Sequence, residues 1–313
     1  MKDRLLAPVA AIDCGTNSTR LLVVGSGGVE LARLMRITRL GRGVDSSGDL
    51  DPDSIRRTIE VLEEYRRTLD FYRVEKARLV ATSAVRDATS GREFLEEASQ
   101  VCGFEAELLD GEEEGRLAFL GATSDLAPCD SYDVVADIGG GSTEIAVGGN
   151  GDLDVVSLEV GCVRLTERYF KHDPPKDSEI HDAVDAVRSE LDRAVASVPR
   201  LETLPDSSRL IGLAGTVSTL ATMDQGLITY EREMVHHSVL SSRDVRRWCE
   251  TLASESSSAR AMETGMPRGR EDVIVGGAVI LRELMERFRF QSCLVSESDI
   301  LDGLVISQHP VPS

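Results

Sequence analysis

The sequence predicts a layered α/β fold built as two similar halves, on two observations. Apolar runs of strand length alternate with longer segments whose apolar residues recur at helical spacing. A polar, glycine-bearing turn between two apolar runs also occurs twice. Asp13-Cys14-Gly15-Thr16-Asn17-Ser18-Thr19 lies over Asp137-Ile138-Gly139-Gly140-Gly141-Ser142-Thr143, with Asp, Gly, Ser and Thr shared at four of seven positions, 124 residues apart (137 − 13). A duplicated strand–turn–strand unit predicts two half-domains facing each other across a cleft.

In the first half, Val9–Ile12 reads as a buried strand that stops at Asp13, and Leu21–Val24 as its return. Asp51-Pro52 opens a helix, because Asp caps the N–H groups of a first turn and proline suits the first helical position. Ile55, Ile59, Leu62 and Leu69 then repeat at helical spacing. Ala77–Ala81 is a further strand, followed by a loop over Thr82–Asp87, and helical patterns cover Phe94–Val101 and Glu112–Leu120. The second half restarts with a strand at Tyr132–Ala136, the turn led by Asp137, and a returning strand at Ile145–Val147. Helices follow at Asp177–Val198, Ser242–Ala253 and Val273–Phe288; Leu201–Ser208 is a surface connection, and the tail beyond Ser307 frays.

Composition narrows the function classes. With 313 residues, 41% hydrophobic and 28% charged, the chain has the make-up of an ordinary globular protein. Its net charge of −19 argues against non-specific nucleic-acid binding, which needs a cationic face. Any anion site must therefore be local, made of backbone N–H groups and a few arginines. The apolar run near the N-terminus is broken by Pro8 and ends at Asp13, too short for a signal peptide or membrane span. Six scattered cysteines without C-x-x-C spacing read as reduced thiols in a cytoplasmic protein.

Three consecutive glycines followed by Ser-Thr exceed what a hairpin turn needs. They free the main chain to approach an anion closely, with N–H groups turned inward and hydroxyls adding donors. Two such loops with carboxylates beside them suit a phosphoryl group and a divalent cation; Asp13, Asp137 and Glu144 are the candidate ligands. Arg86 follows a strand directly; its position leaves open a solvated arginine or a guanidinium forked onto phosphate. The acids of Asp110-Gly111-Glu112-Glu113-Glu114-Gly115-Arg116 are expected at any helix start, where they complement the macrodipole. A phosphate hydrolase nevertheless needs a carboxylate to deprotonate water. His236-His237 and the other histidines lack partners at metal or triad spacing, and no G-x-S-x-G occurs.

AIDCGTNSTRLLV (Ala11–Val23), ATSAVRDA (Ala81–Ala88), GEEEGRL (Gly111–Leu117) and DIGGGSTE (Asp137–Glu144) resemble the exopolyphosphatase/guanosine pentaphosphate phosphatase (Ppx/GppA) family. GCVRLTER, GLAGTVSTL, GREDVIVGGA and VSESDILDGL continue the match in order along nearly the whole chain. The resemblance implies the two-domain fold of actin, sugar kinases and heat-shock chaperones, in the family's short form. It places domain I at 1–124 plus 296–313 and domain II at 125–295. It further implies Glu114 as the base that activates water and Arg86 as the holder of the terminal phosphate. Asn17, Ser18, Gly139, Gly140, Gly141 and Ser142 would line the phosphate loops, and Asp137 and Glu144 would place Mg²⁺, with Mn²⁺ as the alternative.

The implied activity is hydrolysis of the terminal phosphate of inorganic polyphosphate, with guanosine pentaphosphate as alternative substrate and a non-catalytic alarmone or nucleotide sensor as the reading from another class. An ATP-dependent kinase would need a phosphoacceptor pocket with its own base, which the sequence does not display. No nucleic-acid or membrane partner is expected; a homodimer is compatible. Two positions depart from the family pattern. Gly115 stands where alanine is commoner, and Ser298-Asp299-Ile300-Leu301-Asp302 replaces a Gly-Leu-Arg-type ending. The lost positive charge, with the acidic chain, implies a preference for short polyphosphates.

Overall fold

The computed structural model describes residues 7–149 and 151–308. The expectations for the first six residues and for the tail beyond 308 lie outside them. The chain divides into two compact units, with boundaries at 121/122 and 299/300 rather than at 124/125 and 295/296.

The first unit is built on a five-stranded sheet of order β3-β2-β1-β4-β5. β1 (Val9–Cys14), β2 (Ser18–Val24) and β3 (Glu30–Ile37) form an antiparallel meander, and β4 (Lys76–Ala81) and β5 (Ala106–Leu108) add in parallel. Helical segments α1 (Val44–Ser47), α2 (Pro52–Tyr72), α3 (Ser83–Arg86), α4 (Gly91–Cys102) and α5 (Gly111–Thr123) connect them. Every residue of β1 is buried, because helices cover both faces of the sheet. Ala10, Ile12 and Cys14 pack with Leu62, Tyr65 and Leu69 of α2 and Phe94 of α4. Val9 and Ala11, on the opposite face, pack with Leu117 of α5 and with Ile300, Leu301 and Leu304 of α13 (Ile300–Ser307), the segment that returns to this unit.

Asp51 caps α2 as its sequence predicts, accepting from Ser54 N–H at 3.0 Å, with Pro52 in the first turn. α5 runs unbroken through Gly115. Three local expectations are corrected. Thr82–Asp87 is not an open loop, because its centre forms the single turn α3. The chain does not fray at Gln308, which is buried and donates from Nε2 to Ala10 O at 2.8 Å. The connection beginning at Leu201 is partly helical: Pro199–Thr203 is a 3₁₀ turn with Leu201 buried in the core.

The second unit repeats the plan on a six-stranded sheet of order β10-β11-β9-β6-β7-β8. β6 (Asp133–Ile138), β7 (Thr143–Gly149) and β8 (Asp152–Leu158) form the meander. After α6 (Cys162–Tyr169) and α7 (Asp177–Ser197), β9 (Arg209–Leu213) pairs in parallel with β6. α8 (Ala214–Asp224), α9 (Arg232–Val235), β10 (Val239–Ser241), α10 (Ser242–Ser254), α11 (Ser257–Arg260), α12 (Ile274–Arg287) and β11 (Ser292–Val295) complete it. α12 is buried along almost its whole length and packs against α6, α7, α8 and α10.

Candidate active site

Both predicted loops are tips of hairpins with one shared geometry. In the first, Cys14 pairs with Thr19 and Asp13 with Arg20; in the second, Ile138 pairs with Thr143 and Asp137 with Glu144. A Cβ at Gly15 would lie 3.1 Å from Ser18 O, and one at Gly139 would lie 3.1 Å from Ser142 O. The sequence repeat is therefore a repeat of backbone shape.

In the first unit, Asn17 O accepts from Thr38 and Arg39 N–H at 3.1 and 2.9 Å, and Thr16 O from Gly41 N–H at 2.8 Å. Asn17 Nδ2 is buried and makes no hydrogen bond among the described residues, so a donor pair is reserved for something the protein itself does not supply. Ser18 begins β2 and is half-buried. Thr16 Oγ1 lies 2.9 Å from Ser83 Oγ, which ties the loop to the turn carrying Arg86. Asp13 is buried, and its Oδ2 accepts from Arg20 Nε and Nη2 at 3.1 and 2.7 Å.

Arg86 and Glu114, 28 residues apart, are brought together. Arg86 Nη1 donates to Leu109 O at 2.8 Å and lies 3.4 Å from Glu114 Oε2. Glu114 sits in the first turn of α5 with its N–H bonded to Asp110 O, and it is only 9% exposed. A carboxylate held beside a guanidinium supplies the group that a general base for water requires. Arg86 Nε and Nη2 make no hydrogen bond to the protein among the described residues.

In the second unit, Gly139 and Gly140 carbonyls accept from the first N–H groups of α6: Cys162 to Gly139 O at 2.9 Å, Val163 and Arg164 to Gly140 O at 2.9 and 3.1 Å. A Cβ on Gly161 would fall 2.4 Å from Gly140 O, so only glycine permits this approach. The N–H groups of Gly140, Gly141 and Ser142 have no protein acceptor among the described residues, which is the arrangement of an anion cradle. Asp137 and Glu144 are both buried and stand as cross-strand partners, so their side chains leave the same face of the sheet. Glu144 Oε1 accepts from Ser157 Oγ at 2.7 Å. Two hard oxygen donors buried side by side fit Mg²⁺ or Mn²⁺ chemically, since a divalent cation offsets their mutual repulsion.

The sequence reading missed one constellation. His236 and His237 do have a partner: Asp125 Oδ2 lies 3.0 Å from His236 Nε2, and Asp125 Oδ1 3.5 Å from His237 Nε2. Their donor atoms lie within 4.8 Å of one another, a spacing a metal could use. However, Glu297 N–H donates to His236 Nδ1 at 3.0 Å, which puts the ring proton of neutral His236 on Nε2, facing Asp125. This is a hydrogen-bonded clasp rather than a pair of open lone pairs. Burial, then the charge of His237, hold His236 below the usual histidine range. The adjacency of two histidines was the only sequence signal, and Asp125 is 111 residues away.

Comparison with known proteins decides the family. The Ppx/GppA phosphatase family model matches residues 23–311. The chain belongs to the Ppx/GppA phosphatase family. Exopolyphosphatase 2 of Mycobacterium tuberculosis is 40% identical over 318 residues, covering 96% of this chain and 98% of that protein. A guanosine-5′-triphosphate,3′-diphosphate pyrophosphatase of Photobacterium profundum is 32% identical over 67% of this chain and 42% of its own. The crystal structure of the Aquifex aeolicus Ppx/GppA family member superposes with TM-score 0.79 at 33% identity, covering 96% of this chain and 97% of that one. As a Ppx/GppA protein the chain is a phosphoric anhydride hydrolase, and its α/β fold is the actin-like ATPase fold. Among the described residues no helix is long and apolar enough to cross a membrane.

Proposed function

We propose that this protein is an exopolyphosphatase that hydrolyses the terminal phosphate of inorganic polyphosphate, with a preference for short chains. The observation that carries this reading is the Arg86–Glu114 pair, a cation and a base held together on the unit that bears the first loop. The 40% identity with the mycobacterial exopolyphosphatase supports the substrate class.

In this reading Glu114 orients a water and takes its proton as the water oxygen attacks the terminal phosphorus. The bridging P–O bond breaks in line, and its electron pair leaves with the shortened chain as a terminal oxyanion. Arg86 turns its uncommitted nitrogens onto the equatorial oxygens, where charge accumulates. Asn17 and Ser18 in the first unit, and the N–H groups of Gly140, Gly141 and Ser142 in the second, are each donors suited to phosphate oxygens and held in place by their own hairpin. Asp137 and Glu144 would hold the divalent cation, which when bound neutralises charge on the phosphates. Asp13, whose Oδ2 pairs with Arg20, belongs to the first unit and is not assigned to that set.

Glu114→Gln should lower kcat by about 10²–10⁴-fold, the usual contribution of a general base, with binding of tripolyphosphate retained in calorimetry. Turnover within a few-fold of wild type would remove Glu114 from this role. The Photobacterium relative supports guanosine pentaphosphate as a second substrate. Phosphate release from both compounds, measured side by side with and without Mg²⁺, ranks them.

A further inference from the structure

The turn after β3 is bound closely to the first phosphate loop yet has no assigned chemistry. Three backbone hydrogen bonds join it to Thr16 and Asn17, at 2.8–3.1 Å. Gly41 shows how tight the junction is. A Cβ there would lie 2.3 Å from Thr16 Cγ2 and 2.9 Å from the Cβ of Ala84 in α3. The turn is thus wedged between the phosphate loop and the helical turn that presents Arg86.

The next residue is Arg42. It is exposed; its N–H donates to Arg39 O at 3.1 Å, and its side chain has no carboxylate or hydrogen-bond partner among the described residues. Other arginines of this unit are compensated: Arg20 by Asp13, Arg33 by Asp302, Arg36 by Glu64, Arg78 by Glu107 and Arg116 by Glu113. Arg67 and Arg73 of this unit also lack an ion pair among the described residues, but Arg42 is the one that adjoins the turn bonded to the phosphate loop, which places a guanidinium beside that loop in a chain of net charge −19.

We infer that Arg42 is a specificity-determining residue that binds phosphates of the chain behind the terminal one, so its ligand is an inorganic phosphoanhydride chain. The inference rests on the exopolyphosphatase reading. An exposed charge is screened beyond roughly 10 Å at 0.1 M salt, so Arg42 acts on phosphates close to the loop rather than on distant polymer. It touches no bond being broken, and its contact is equal in ground and transition states. It therefore lowers KM and leaves kcat unchanged.

The test is steady-state phosphate release by wild type, Arg42→Ala and Arg42→Lys, on tripolyphosphate and on polyphosphate of tens of units, at low and high salt. Arg42→Ala should raise KM for the longer substrate roughly fivefold, the size of an exposed charge-assisted contact. Its kcat should stay at the wild-type value on both substrates, and its KM for tripolyphosphate, which also carries phosphates behind the terminal one, should rise by a similar or smaller factor. Lysine should restore most of the affinity, and high salt should erase the difference. An unchanged KM on the longer chain, a larger factor on tripolyphosphate than on the longer chain, or a loss of kcat would each overturn the assignment. Wild-type protein inactive on both substrates would overturn the exopolyphosphatase reading as well, whereas an active wild type with a silent Arg42→Ala overturns only this inference.

Discussion

In the first hairpin the residue facing the leading aspartate is Arg20; in the second it is Glu144. Backbone register, tip length and the parallel strand added beside each lead strand are the same. The difference is electrostatic. Asp13 Oδ2 is ion-paired with Arg20 at 2.7 Å, whereas Asp13 Oδ1 is buried without a hydrogen bond among the described residues. Asp137 and Glu144 are two carboxylates that repel by about 3 kcal/mol at a cross-strand spacing of ~5 Å and an effective dielectric of ~20. The two copies of a duplicated turn thus differ in whether the leading aspartate faces a guanidinium or a second carboxylate. The duplication supplied the shape twice, and a single facing residue divided the labour.

Substitutions can break or sharpen this division. The largest effect is expected at the second hairpin, where Asp137→Asn or Glu144→Gln should lower turnover by about 10³-fold at saturating Mg²⁺, read by phosphate release. Near-normal turnover would mean the pair does not serve a metal. Stability should respond with opposite signs. Arg20→Gln leaves Asp13 buried without its guanidinium and should cost about 3 kcal/mol in urea unfolding. Glu144→Gln in metal-free protein relieves repulsion and should be neutral or stabilising by about 1 kcal/mol. Losses of equal size would erase the distinction. Next in size, Gly161→Ala should cost about 2 kcal/mol, because the new methyl meets a backbone carbonyl that cannot swing aside. The smallest change is expected for Asn17→Ala, with KM raised about fivefold and stability nearly untouched, since its Nδ2 makes no hydrogen bond among the described residues.

Much of this was legible in the sequence, and the reasons differ by residue. Asp13 and Asp137 stood out because each ends an apolar run and opens a turn, and both patterns are local. The cap at Asp51 was legible for the same reason. α3 was not, because a one-turn helix has no periodicity to read, although it places Arg86 beside Glu114. β3, β8 and the short strands β5, β9, β10 and β11 were also missed: edge strands such as β3 are half-exposed and lack a continuous apolar run. Pairings across long separations escaped altogether. Nothing near Asp13 indicates that Arg20 will close on it while Glu144 faces Asp137, because strand register decides which side chains meet. Asp125 with His236 is the same case at greater distance.

The capture of the Gly139 and Gly140 carbonyls by α6 has a consequence for selectivity. With those oxygens spent inside the fold, the tip offers its surroundings N–H groups and a hydroxyl. Such a surface reads the oxygens of an anion and ignores what the anion is attached to. A nucleoside at the far end of a substrate is then neither demanded nor refused by residues 139–142. Changes of substrate preference among proteins that keep this hairpin must be sought in other parts of the chain.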